Sequence, residues 1–326
     1  MKQPAATKLP QAGVPPFLGI AAALLSVYLF WGGTYLGMKI AIETIPPFTM
    51  GGVRFLTAGF ILYILARMKG ETRPNAREWR GAGITGALLL LGGNGIVAWA
   101  EQRVPSAVAS LLVATVPLWM LLFSWAGPGR KKPSAGVVTG IVLGFAGIVI
   151  LVVHPGSSSG RSLDMAGIAA LLLASVSWSI GSLYSRKANL PGSPLLSTAV
   201  QMIVGGSLLL IVSLLLGEWS GFKPGAVSLR SFAALGYLIA FGSIVSYTAY
   251  IWLLKHAEPV LVSTYAFVNP VVAVFLGWFL GGEQLSSSSL TAACFIVAAV
   301  AVITVSGKST SGRKSARRSA SVTGRD

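Results

Sequence analysis

Six residues have the chemistry of a small-solute binding site: Trp31, Asn94, Trp178, Tyr247, Tyr265 and Asn269. Each lies within a long apolar stretch, where a polar group is costly and a functional candidate by default. Indole and phenol rings supply flat apolar walls with one hydrogen-bonding tip each, and the two amides supply donors and acceptors. Such a set suits amphiphilic or zwitterionic solutes, held weakly enough to be released again. A structural reading stands beside it, because Trp and Tyr near helix ends form interfacial belts, which suits Trp79, Trp99 and Trp252. Reactive clusters are not apparent: there is no HExxH and no His/Asp pair within an apolar run, so neither an enzyme nor a metal or cofactor site is expected. The single cysteine, Cys294, excludes an internal disulfide and a thiolate cluster.

Three ionisable residues are candidates for a gate or a charge site: Lys39, Arg54 and Glu101. Arg54 lies about seven residues into an apolar run, roughly 10 Å along a helix. It either meets a substrate carboxylate or gate, or pairs structurally. Lys39 sits near the end of the first run, placed to snorkel outward or to pair with Glu43 or Glu101 at the rim. Glu101 stands beside Arg103 and Pro105 and reads first as a corner, second as an external gate. The nine Asp and Glu all fall in loops, tails or last helical turns, and His154 and His256 lie at helix ends, so no proton relay is evident. Pro117 and Pro270 lie within apolar runs, where proline frees a carbonyl and kinks a helix. They are hinge candidates, or static kinks.

The elements that carry these residues follow from composition. Of 326 residues, 54% are hydrophobic and only 10% charged, with a mean hydropathy of +0.74. A soluble domain carries about 25% charged residues, so this chain belongs in a bilayer. Runs of about 20 apolar residues, the length of a spanning helix, occur near 17–39, 48–67, 80–100, 105–126, 134–153, 163–185, 194–216, 230–254, 259–280 and 287–306. The predicted fold is all-α, ten transmembrane helices with short connections; period-2 alternation of a barrel is lacking. Pro47, Pro105, Pro133, Pro194 and Pro259 stand where helices begin. Spacings of GxxxG type, Gly33–Gly37, Gly140–Gly144 and Gly277–Gly281, predict close packing.

Charge sets the orientation. Nineteen of the 25 Lys and Arg fall in the tails and loops of one side, five on the other, and Arg54 lies inside a span. The positive-inside rule then places both termini in the cytoplasm. The net charge of +16 sits in short loops and tails without a folded basic domain, which argues against a nucleic-acid partner; a small-molecule substrate and membrane lipids are the partners expected. Residues 1–16 form a cytoplasmic N-terminal tail, and the Ser- and Arg-rich tail 307–326 should be disordered.

The chain also repeats itself. At a spacing of 147, Trp31 matches Trp178, Pro47 matches Pro194 and Gly59 matches Gly206. At 153, Trp99 matches Trp252, Pro117 matches Pro270 and Asn94 falls on Tyr247. Two halves of five helices, 17–153 and 163–306, would enter the membrane from opposite sides, the inverted-repeat design of many carriers with a midplane site between halves. With WGGTYLGMKIA in the first helix, PPFTMGGVRF at the second and NPVVAVFLGWFLGGEQLS near the end, the chain resembles the EamA family of the drug/metabolite transporter superfamily. The resemblance covers residues 17–306. It implies a multi-pass inner-membrane carrier that exports amino acids, related metabolites or small amphiphilic drugs. Small four-helix pumps of that superfamily keep a glutamate in the first helix; LLSVYLFWGGTYLG has none, so coupling is left open between proton antiport and uniport. A lipid scramblase, a channel or a sensor is the alternative class.

Overall fold

The computed structural model describes residues 17–126, 134–153, 164–257 and most of 262–306. The expected tails, the basic loop Arg130–Lys132, His154, Pro133 and Pro259 lie outside the described residues. In chain order the helices begin with α1 (Phe17–Ala41), α2 (Pro47–Met68) and α3 (Ala76–Ala100). Next come α4 (Ser106–Val113), α5 (Val116–Ala126) and α6 (Ala135–Val153). Then follow α7 (Met165–Ser185), α8 (Pro194–Leu215) and α9 (Leu229–His256), α10 (Tyr265–Phe279) and the short apolar helix Leu290–Ala299. Among the described residues there is no strand. Six of the helices, α1, α2, α3, α7, α8 and α9, are long and apolar enough to cross a bilayer.

Local chemistry fixes the helix starts. Pro47 and Pro194 occupy the first turns of α2 and α8, where a missing N–H removes no helical bond. Asn75 and Glu78 form a reciprocal capping box at α3, and the side chains of Asp164, Ser193 and Ser228 cap α7, α8 and α9. The run 105–126 is two helices rather than one, broken at Ala114–Thr115. Pro117 therefore lies in the first turn of α5, not mid-helix, because its ring would otherwise meet the carbonyl four residues back. Pro270 lies within α10, which continues through it.

Large apolar side chains face outward. Phe60, Ile64, Val142, Leu173, Ile211, Leu214 and Phe275 are all exposed, an arrangement that suits contact with lipid rather than water. Inside, the central contact is α2 against α8, and glycine lets it close. A Cβ on Gly59 would lie 2.9 Å from the Ile203 backbone nitrogen, and one on Gly206 would lie 2.8 Å from that of Leu56. The same device brings α3 onto α8, where a Cβ on Gly86 would sit 2.3 Å from the Gln201 carbonyl. The Gly33–Gly37 spacing packs α1 on α9, against Tyr237 and Leu238.

Because backbone, not a flexible side chain, faces Gly59, Gly59→Ala should cost about 1–3 kcal/mol through overpacking. A lowered thermal unfolding midpoint in detergent micelles is the expected result. Gly236→Ala, at a helical position with nothing within 4 Å, should leave the midpoint unchanged or raise it; equal behaviour of the two variants would contradict the contact.

Candidate functional site

Four helices of the N-terminal stretch and three of the C-terminal stretch converge on a small cavity of about 60 Å³. From α1 come Trp31, Thr34, Tyr35 and Met38, and from α2 come Arg54 and Phe55. From α3 come Gly93, Asn94 and Val97, with Val113 of α4. Ala174 and Trp178 of α7, Gly242 and Tyr247 of α9, and Tyr265 and Asn269 of α10 complete the lining. The six residues singled out from sequence thus share one cavity, and Arg54 joins them. Lys39, Glu101, Pro117 and Pro270 are not part of the lining.

Irregular helix builds this cavity. Widened π-helical turns occupy Val27–Trp31 of α1, Ala87–Gly95 of α3 and Leu238–Tyr247 of α9. A π turn breaks the regular i→i−4 ladder, and here the carbonyls around it receive side-chain donors. Trp31 Nε1 donates to the Gly242 carbonyl at 3.0 Å, and Tyr237 Oη donates to that of Phe30 at 2.9 Å. Ser246 Oγ donates to Ser26 O at 3.1 Å. In α3 the Ser177 hydroxyl donates to Leu88 O at 2.8 Å, and Asn94 Nδ2 donates to Leu89 O at 3.4 Å. The Asn269 amide lies 3.3 Å from the carbonyls of Tyr265 and Tyr28, an arrangement satisfied with its nitrogen turned toward them.

The aromatic wall is one cluster. Trp31 meets Trp178 edge-on at 5.7 Å and Tyr265 edge-on at 5.5 Å. Tyr250 lies 4.9 Å from Trp31 and 5.9 Å from Trp178. These T-shaped and tilted pairings are the favourable ones for rings. Tyr247 donates to Gln201 Oε1 at 2.8 Å, and Gln201 Nε2 donates to Ser197 Oγ at 3.0 Å, so the wall is braced from α8. The Trp178 indole N–H is buried beside the hydroxyls of Tyr250 and Tyr265.

Arg54 is 3% exposed, yet its guanidinium reaches the cavity. Its Nε donates to Ser243 Oγ at 2.8 Å, and its charge lies 4.6 Å from the centre of the Phe55 ring. Room for the head comes from Gly242, where a Cβ would stand 2.8 Å from Arg54 Nη2.

The rim charges differ from the pairing expected for them. Lys39 Nζ donates to the backbone carbonyls of Glu101 and Val104, closing the end of α3. Glu43 pairs instead with Arg230 at 3.7 Å. Glu101 is fully buried rather than an open corner, because the start of α7 crosses that turn, with Gly167 against Val104 and Arg103. Arg103 stacks on Trp99 at 4.4 Å and pairs with Asp164 at 3.1 Å. Glu218 accepts hydrogen bonds from Phe48 N, Thr49 N and Thr49 Oγ1 at 3.1, 2.8 and 2.9 Å, capping α2 from the loop after α8.

Sequence reasoning missed Tyr250, Thr34, Met38 and the two glycines, Gly93 and Gly242, that give the cavity its room. Their signal was weak: glycine is frequent throughout the chain, and Tyr250 follows the more conspicuous Tyr247 within one turn.

Comparison with known proteins adds a family. The model of the EamA-like transporter family matches the chain twice, over residues 17–153 and 165–305. The chain is 40% identical over 289 residues to the uncharacterized inner membrane transporter YedA of Escherichia coli (strain K12), covering 88% of this chain and 91% of that one. It is 29% identical over 278 residues to protein PecM of Dickeya dadantii (strain 3937), 84% of this chain and 88% of PecM. A crystal structure of a protein bearing no more specific name superposes with TM-score 0.63 at 22% identity, over 88% of this chain and 97% of that chain. That likeness shows a shared fold.

Two outcomes follow from the geometry. Tyr247→Phe leaves the buried Gln201 carbonyl oxygen without its donor and should cost about 1–3 kcal/mol; an unfolding midpoint equal to wild type would contradict the bracing role. At the rim, the Gly167 N–H and then Arg103 hold the Asp164 carboxyl below its ordinary value against desolvation. A folded-state value below the unfolded one means stability that is present above the unfolded value and lost as pH falls through the folded one. The acid-side fall in unfolding midpoint should therefore be shallower in Asp164→Asn than in wild type.

Proposed function

Because this chain belongs to the EamA-like transporter family and is a multi-pass protein of the inner membrane, we propose that it is an alternating-access carrier. It exports small solutes, amino acids, related metabolites or amphiphilic drugs, and binds them in the central cavity. Trp31, Asn94, Trp178, Tyr247, Tyr265 and Asn269 form the binding wall. The working unit is ten spanning helices in two inverted halves, 17–153 and 163–306, with both termini in the cytoplasm.

The observation that carries this reading is convergence. Residues from both stretches matched by the family model line one cavity, as a site between halves requires. A reciprocal contact supports the inverted repeat. Gly59 meets Ile203 while Gly206 meets Leu56, and each pair becomes the other under the 147-residue shift, as a two-fold axis between α2 and α8 would produce.

Movement has a physical route in the same elements. Alternating access needs cavity-lining helices that rearrange without exposing backbone to lipid. The π-helical turns of α1, α3 and α9 already hold carbonyls on side-chain donors, so these bonds are exchangeable. On the predicted outer side lie the ties that an outer gate must break: Arg103–Asp164, Arg230–Glu43, Lys39 on the end of α3, and Glu218 on the start of α2. Pro117, beside the α4–α5 break, and Pro270 within α10 are the proposed flexing points.

The test is solute flux in proteoliposomes across a panel of amino acids and amphiphilic drugs, with and without a pH gradient. Saturable flux is expected, and Asn94→Ala and Trp178→Ala should each lower kcat/KM about tenfold or more while the protein still inserts. Unchanged kinetics in both variants would remove the cavity from the mechanism. Flux that rises without saturation would point to a channel.

A further inference from the structure

We infer that the cavity recognises an anionic group, above all a carboxylate, on an apolar body, with Arg54 as the residue that selects it. The inference rests on the reading of the cavity as the solute site and names the chemistry that site takes. Among the described residues, Arg54 is the one charged side chain in the lining. It is 3% exposed, and neither ion pair found among the described residues includes it; those are Arg103–Asp164 and Arg230–Glu43.

A guanidinium carries five N–H donors in a planar fork and stays charged in proteins. Nε is used by Ser243 Oγ at 2.8 Å, and Phe55 backs the ring of charge at 4.6 Å. Both contacts hold the head in place, and the buried Glu101 carboxylate adds an electrostatic attraction to it without appearing in the cavity lining. Gly242 gives Nη2 its seat against α9, since a Cβ there would come within 2.8 Å of it. An oriented cation facing a cavity walled by rings and small apolar side chains meets the geometric demand of a carboxylate, which takes two parallel N–H bonds from such a fork. Burial in low dielectric strengthens that attraction. The same field repels a solute whose only charge is positive, so the site discriminates by sign as well as by size.

Binding to the full-length chain in nanodiscs tests the inference with one apolar body in several charge states. N-acetyl-leucine is the plain anion, leucine the zwitterion, N-acetyl-leucinamide the neutral form and leucinamide the cation. The two ligands with a free carboxylate should bind about tenfold or more tighter than the two without, and comparison of N-acetyl-leucine with leucine tells whether an ammonium is tolerated. Arg54→Gln should erase the carboxylate preference while leaving N-acetyl-leucinamide affinity unchanged, and Arg54→Lys should restore part of it. If Arg54→Gln does not fold, Gly242→Ala serves, because its methyl displaces Nη2 and should weaken the carboxylate ligands selectively. Equal affinity across the set, tighter binding of leucinamide, or an equal loss for every ligand in the variant would each overturn the inference, as would no binding at all. Flux measured on the same protein separates the two readings. Saturable flux without a carboxylate preference leaves the carrier standing and sinks the anion site; carboxylate-selective binding without flux does the reverse.

Discussion

A carbonyl set free inside a bilayer has no water to turn to, and this constraint shapes the central region. The π-helical turns of α1, α3 and α9 widen the helices where a cavity is needed, and every such widening disturbs backbone pairing. The chain answers with side-chain donors placed opposite: the Trp31 indole on Gly242, the Tyr237 hydroxyl on Phe30, Ser246 on Ser26 and Ser177 on Leu88. These bonds satisfy the backbone and at the same time fix which helix lies beside which. The cavity is therefore a product of the hydrogen-bond accounting, in which the lining residues Trp31 and Asn94 take part themselves.

A second constraint is proximity. Without a hydrophobic drive between helices in lipid, association depends on close packing. α2 and α8 approach until a single methyl on Gly59 or Gly206 would strike the other backbone. That contact sets the depth of Arg54 on α2 and of Gln201 on α8, whose side chains both bond to α9. Arg54 thereby reaches Ser243 and the cavity, while Gln201 reaches Tyr247.

Much of the candidate site was legible in the residues. Trp31, Asn94, Trp178, Tyr247, Tyr265 and Asn269 were recognisable because an amide or a ring tip within an apolar span has few reasons to be there. Arg54 was legible for the same reason. The break at Ala114–Thr115 was not, since proline announces a disturbance without saying whether the helix bends or stops. Rim charges were read by nearness in sequence, which joined Lys39 to carboxylates; in space its ammonium serves the carbonyls that end α3. Glu218 shows the same limit. It caps α2 across a separation of 169 residues, and no local pattern encodes that. The π turns left no compositional mark, because their cause is the matching of donors on a neighbouring helix.

Gly93 and Gly242 matter by what they leave out. A methyl on the first would press on Trp178 and one on the second on Arg54 and Thr34. The dimensions of the chamber are thus written in missing atoms, at positions where exchanging glycine for alanine alters neither charge nor polarity. Lineages diverging from such a chain have a graded way to reshape the chamber, shaving or filling it one carbon at a time while the scaffold stays as it is.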